Sequence, residues 1–262
     1  MASTCTHFSP ECSIKATTYG YYPNLAGNTF FTIYFGLVAL GIGTFMEAAG
    51  YVGRIIMHYN PWSSPGFRLQ IFCLILAPTF IAASIYLTLK HIIIYVGPRY
   101  SRLEPRLFTW VFVGCDAASI ALQAAGGGVV NSAGDDMNWM QAGNHIIIAG
   151  IAFQVATVSV CGILAVDFFI AAWKDRRGRE KREIASRRQK RWVWIIFVAE
   201  AMAYVTVLIR CIYRIPEMAG GWGGSLMKNE EDFMILDGMM IALAVLAFTL
   251  FHPGLFLPTL KT

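Results

Sequence analysis

Long apolar runs broken by short polar interruptions dominate this chain. At 1.5 Å per residue, a helix needs about 20 residues to cross roughly 30 Å of hydrocarbon. Six runs reach that length, at about 29–53, 69–89, 107–130, 145–173, 192–213 and 233–257. They are continuously apolar rather than alternating, which predicts helices and excludes barrel strands. The expected fold is an all-α polytopic membrane protein with six transmembrane helices. The bundle runs over 28–257, with an N-terminal tail over 1–27 and a short C-terminal tail over 258–262. No basic stretch leads into an apolar core within the tail, so the first span is expected to direct insertion itself.

Composition agrees with the pattern. Of 262 residues, 56% are hydrophobic and only 14% charged, too few charges to cover a water-facing surface around so much apolar chain. Mean hydropathy is +0.53. The 18 Phe, 11 Tyr and 7 Trp suit lipid-facing surfaces with aromatic belts. The six Cys stand singly, with no CxxC pair, so neither a disulfide framework nor a zinc knuckle is indicated.

Charge sets the orientation. The net charge is +5, yet residues 174–191 alone hold ten Lys/Arg and three acids, so the rest of the chain sums to −2. Lying between two apolar runs, this basic segment reads as a cytoplasmic loop rather than a nucleic-acid site. It could also touch anionic lipid. Alternation then places Arg99, Arg102 and Arg106 inside and the acidic loops 131–144 and 216–232 outside. Six spans put both termini in the cytoplasm.

Ionisable and amide side chains inside spans are costly, and they face the bundle interior, pair or line a path. Asp116 and Glu200 sit roughly 12–14 Å from the inner ends of their helices. Asp116, Ser119 and Gln123 share one helix face at i, i+3, i+7, and Gln154 lies on the next span. Arg210, Arg214 and Glu217 form a stripe at the outer end of the fifth span. Glu47 interrupts the first. Each of these is either a candidate element of a substrate path or hydrogen-bonded glue between helices. The run Gly126, Gly127, Gly128 offers a helix-packing surface or, alternatively, a ligand cradle. Pro78 is expected to kink the second span and so shape packing.

Enzymatic readings find little in the chain. There is no GxxxxGK[ST] phosphate loop. His7, His58, His91, His145 and His252 are dispersed and map to opposite sides of the membrane, which disfavours a shared metal. No catalytic residue, cofactor or metal is expected.

Several strings go further: MEAAGYVGRI (46–55), LAPTFIAASIYLTL (76–89), SRLEPRLFTWVFVGCDAASIALQAAGGG (101–128), IAGIAFQV (148–155), RCIYRIPE (210–217) and FHPG (251–254). Together they resemble the fungal RTA-like family, also called lipid-translocating exporters, over nearly the whole chain from Tyr22. The resemblance implies a seven-helix plasma-membrane protein that moves sphingoid long-chain bases, toxic amphiphiles or porphyrins. Its partners would be membrane lipids and an amphiphilic solute, not nucleic acid. The family's motif positions fall here on Glu47, Gly50, Arg54, Pro78, Asp116, Gln123, Gly126–Gly128, Gln154, Arg210, Arg214, Glu217 and His252. One departure stands out. The family's first two span patterns, matched by Asn28–Gly36 and Glu47–Arg54, are joined here in one run, as though a span's worth of chain were missing. The expected function is amphiphile export. A receptor-like sensor or, less favoured, an intramembrane lipid enzyme are the alternatives.

Overall fold

The computed structural model describes residue 14 and residues 17–38, 42–134, 136–179, 187–220 and 224–251. These form seven helices: α1 (Leu25–Leu37), α2 (Ile42–Tyr59), α3 (Ser64–Val96), α4 (Pro105–Ser132), α5 (Met137–Arg179), α6 (Arg187–Ala219) and α7 (Glu230–Leu250). A 3-10 turn, Pro98–Tyr100, links α3 to α4. His252, the tail of the last apolar run, the middle of the basic segment and residues 1–13 and 258–262 lie outside the described residues.

Local chemistry sets the helix ends. The Asn24 side chain accepts from Gly27 N–H at the start of α1, and Ser63 Oγ accepts from Gly66 N–H at the start of α3. Gly97, at φ 138°, ends α3 in a conformation that side chains resist. Helices α3 to α7 each contain a stretch long and apolar enough to cross a membrane. Large apolar side chains cover their outer surface: Trp110, Ile163 and Leu250 are all more than half exposed. Such a surface is solvated by lipid, not water. The chain is an integral, multi-pass, all-α membrane protein.

The single first span does not hold. The run 29–53 is two helices, packed antiparallel. Asn28 near the start of α1 meets Arg54 near the end of α2, and the Phe35 and Tyr51 rings stack at 5.8 Å. At 13 residues α1 is only about 20 Å long, so the shortage of chain appears as a short hairpin rather than a lost helix. The added reversal also moves residues 17–24 off the side that six spans would give them. Residues 17–24 pack at the end of the bundle opposite the basic segment: Gln70 Nε2 donates to Tyr19 Oη, and Asn24 N–H donates to Glu230.

Close helix approach depends on glycine at two seams. Between α2 and α3, a Cβ on Gly53 would stand 2.8 Å from backbone atoms of Gly66 and Gln70. Between α4 and α5, a Cβ on Gly126 would stand 2.8 Å from Gly143 O and Ile147 N. The main core lies between α3, α6 and α7, around Leu74, Tyr86, Val207 and Ile241.

Candidate functional site

The polar residues inside the bundle fall into three groups. The first, toward the end opposite the basic segment and called outer on that ground, is ionic. Arg210, 1% exposed, donates from Nε to Asp237 Oδ1 at 2.8 Å and from Nη2 to Asp237 Oδ2 at 3.2 Å. Arg214 reaches Asp237 Oδ1 at 2.9 Å and Glu217 Oε2 at 2.9 Å. Glu47 Oε1 lies 3.3 Å from Arg210 Nη1. Just beyond, Arg54 donates to Asn28, Tyr21 and Glu230, with its guanidinium 4.1 Å from the Phe233 ring centroid. Burial pushes the Tyr21 hydroxyl above its usual range while Arg54 opposes this, so the phenol is a neutral acceptor.

Two backbone irregularities make this cluster. A proline has no N–H, so Pro78 leaves the carbonyl four residues earlier, on Leu74, without its helical donor. Arg210 Nη2 takes that carbonyl at 2.7 Å. On α7 the stretch Phe233–Met239 is π-helical, a form that concentrates at functional sites, and it carries Asp237.

The second group lies deeper. Gln123 Nε2 donates to Gln154 Oε1 at 3.2 Å, and Gln154 Nε2 donates to Thr79 Oγ1 at 3.1 Å, tying α4, α5 and α3 together. Ser119 Oγ donates to the Asp116 carbonyl, and Tyr86 Oη donates to Asp116 Oδ2 at 3.0 Å. Asp116 Oδ1 is buried with no partner.

The third group is Glu200 alone. It is 7% exposed, its Oε1 has no hydrogen-bond partner, and it joins no ion pair among the described residues. It lines a cavity of about 570 Å³ between α3, α5 and α6, otherwise walled by side chains such as Leu89, Phe169, Phe197 and Tyr204. Val166, Ile170 and Trp173 line the same cavity and are exposed on the lipid-facing surface, so it opens sideways. A second cavity, of about 600 Å³, lies in the opposite half between α3 and α4. Gln123 reaches it, and Arg68 stands at its mouth. A void of about 30 Å³ beside Arg210, Gln123 and Gln154 adjoins this outer cavity through Ile75, Gln123 and Met218.

The structure thus separates residues that the sequence groups as one path. Glu47, Arg210 and Glu217 belong to the ionic cluster, Asp116, Ser119, Gln123 and Gln154 to the middle, and Glu200 to the inner cavity. Gly126 is a packing residue, but Gly127 and Gly128 line the outer cavity, with no atom within 4 Å of a Cβ built on either. Asp237 and Tyr86 are central yet not among the sequence candidates. Asp237 carried the same signal as Asp116, a carboxylate inside an apolar run.

Comparison with known proteins matches this arrangement to a family. Residues 40–259 match the family described as RTA1 like protein. The sphingoid long-chain base transporter RSB1 of Saccharomyces cerevisiae is 34% identical over 235 residues, covering 80% of this chain and 62% of the yeast protein. Protoporphyrin uptake protein 1 of S. cerevisiae is 28% identical over 216 residues, covering 82% and 68%. Protein RTM1 of S. cerevisiae is 25% identical over 238 residues, covering 90% and 72%. The chain spans about three fifths of the length of the first of these relatives. No solved structure matches it significantly. The family match covers most of the chain, and the protein belongs to the RTA1-like family.

Proposed function

We propose that this chain moves a single-chain cationic amphiphile, of the sphingoid long-chain base class, between the leaflets of the plasma membrane, without converting it chemically. The observation that carries this reading is the inner cavity. A lone buried carboxylate, Glu200, sits in an apolar and aromatic chamber with a sideways mouth. A carboxylate left unpaired in hydrocarbon is costly, and an ammonium headgroup entering from the inner leaflet would pair it. The apolar walls would hold the chain. The transporter named among the relatives supports the substrate class.

Reconstitution tests this. Purified protein in phosphatidylcholine vesicles is expected to speed leaflet exchange of a long-chain primary amine, but not of the alcohol of equal length. Glu200→Gln should slow amine exchange by about 10–100-fold, from the 1.5–3 kcal/mol that a charged hydrogen bond contributes. Exchange no faster than in protein-free vesicles, or an unimpaired Glu200→Gln, would refute the reading. Amine-dependent recruitment of a partner without exchange would favour a sensor instead.

A further inference from the structure

The ionic cluster holds more acid than base. Arg210 and Arg214 supply two positive charges, whereas Asp237, Glu217 and Glu47 are three buried carboxyl groups. Arg54 does not correct the imbalance, because Glu230 already matches it at 3.1 Å. Asp237 takes three guanidinium contacts and Glu217 takes one. Glu47 is left over. It has no exposure, and neither of its oxygens forms a hydrogen bond even with Arg210 Nη1 at 3.3 Å. The Tyr51 hydroxyl, one turn along α2, is buried and unpartnered as well.

The charged and titratable groups facing Glu47 come from every packed side. Arg210, Arg214 and Asp237 act on it from α6 and α7, Cys73 lies within its field on α3, and Tyr51 shares α2. A third full negative charge with no hydrogen-bond donor is expensive in this setting, and a proton removes it. A metal ion is a poor alternative beside a guanidinium.

We propose that Glu47 is an exchangeable proton site and that it couples transport to a proton gradient. The 30 Å³ void lined by Arg210 and Arg214, the arginines that face Glu47, has room for one water and shares Ile75, Gln123 and Met218 with the outer cavity. On this proposal the outer cavity is the side with which the site exchanges its proton. Exchanging one cation for one proton moves no net charge across the membrane. The coupling rests on the transport reading above; the proton site does not.

Two measurements separate them. In infrared difference spectra of the purified full chain, the protonated-carboxyl C=O band should contain a component that Glu47→Gln removes. The melting midpoint of Glu47→Gln should equal that of the wild type, because Gln mimics the neutral acid. An unchanged band, or a midpoint lowered as by removal of an ionised partner of Arg210, overturns the site. In vesicles enclosing a pH dye, dodecyltrimethylammonium, which has no proton to give, should drive an internal pH change. Glu47→Gln should move the ammonium with that signal cut by about fivefold or more, the low end of ordinary coupling. Wild-type ammonium movement with no pH change overturns the coupling. No ammonium movement at all overturns the coupling; loss of primary-amine exchange as well strikes down the transport reading, while the band still decides the proton site.

Discussion

Alanine at two adjacent glycines of α4 should move stability in opposite directions. At Gly126 the new Cβ would meet Gly143 O, Ile147 N and Ile147 Cγ1 at 2.8 Å, and two of these are backbone atoms of α5 that no rotamer change can withdraw. The seam cannot open locally either, because a Cβ on Gly150, further along it, would also stand 3.0 Å from Ser119 O. Overpacking of this kind costs about 1–3 kcal/mol. Replacing Gly by Ala inside a helix returns about 0.5–1 kcal/mol. The net loss for Gly126→Ala is therefore up to about 2.5 kcal/mol, centred on about 1 kcal/mol. Gly127→Ala meets nothing within 4 Å and keeps only the gain. At about 2–4 °C per kcal/mol for a chain of this size, Gly126→Ala should melt about 2–4 °C lower, with a limit of about 10 °C, and Gly127→Ala about 1–4 °C higher. The assay is thermal unfolding of both variants in one detergent, followed by intrinsic fluorescence or size-exclusion survival. Shifts of the same sign would refute the assignment of one glycine to the seam and the other to the cavity.

Asp237→Ala removes the shared acceptor of Arg210 and Arg214 and leaves two buried guanidiniums short of partners. Loss of one member of such a pair costs about 3–5 kcal/mol, or about 6–20 °C in the midpoint, and a fall of under about 2 °C would show the cluster to be dispensable. An epitope placed before Tyr22 should be reached by antibody on intact cells, because residues 17–24 pack at the end opposite the basic segment; reactivity only after permeabilisation would contradict that orientation.

Helices α3 to α7 were legible because run length alone marks a span when polar residues bound it. The reversal between α1 and α2 was not, since it falls between Val38 and Ile42 in uninterrupted apolar chain, with Gly36, Gly41 and Gly43 as the only local signal. Buried polar residues announced themselves by being out of place in hydrocarbon, and so Asp116, Gln123, Gln154 and Glu200 could be picked out singly. Their partners could not, because they come from distant parts of the chain: Arg210 meets Glu47, and Gln154 meets Thr79. Pro78 reads in sequence as a kink. Its larger effect, a free Leu74 carbonyl, takes meaning only from the Arg210 side chain that occupies it.

The contacts of Arg54 with Glu230 and of Glu47 with Arg210 also set a timetable for biogenesis. Arg54 and its acceptor are 176 residues apart, so at about 5–20 residues per second the ribosome needs on the order of 10–30 s to deliver the second partner. During that interval α2 carries an acid and a base with no completed bundle around them. It is also not among the helices apolar enough to be retained in a bilayer on length and composition alone. Until α6 and α7 arrive, Glu47 lacks Arg210, and Arg54 holds only Asn28 and Tyr21. Chains cut short before Arg210 should accumulate as quality-control substrates, even though most of their spans are made.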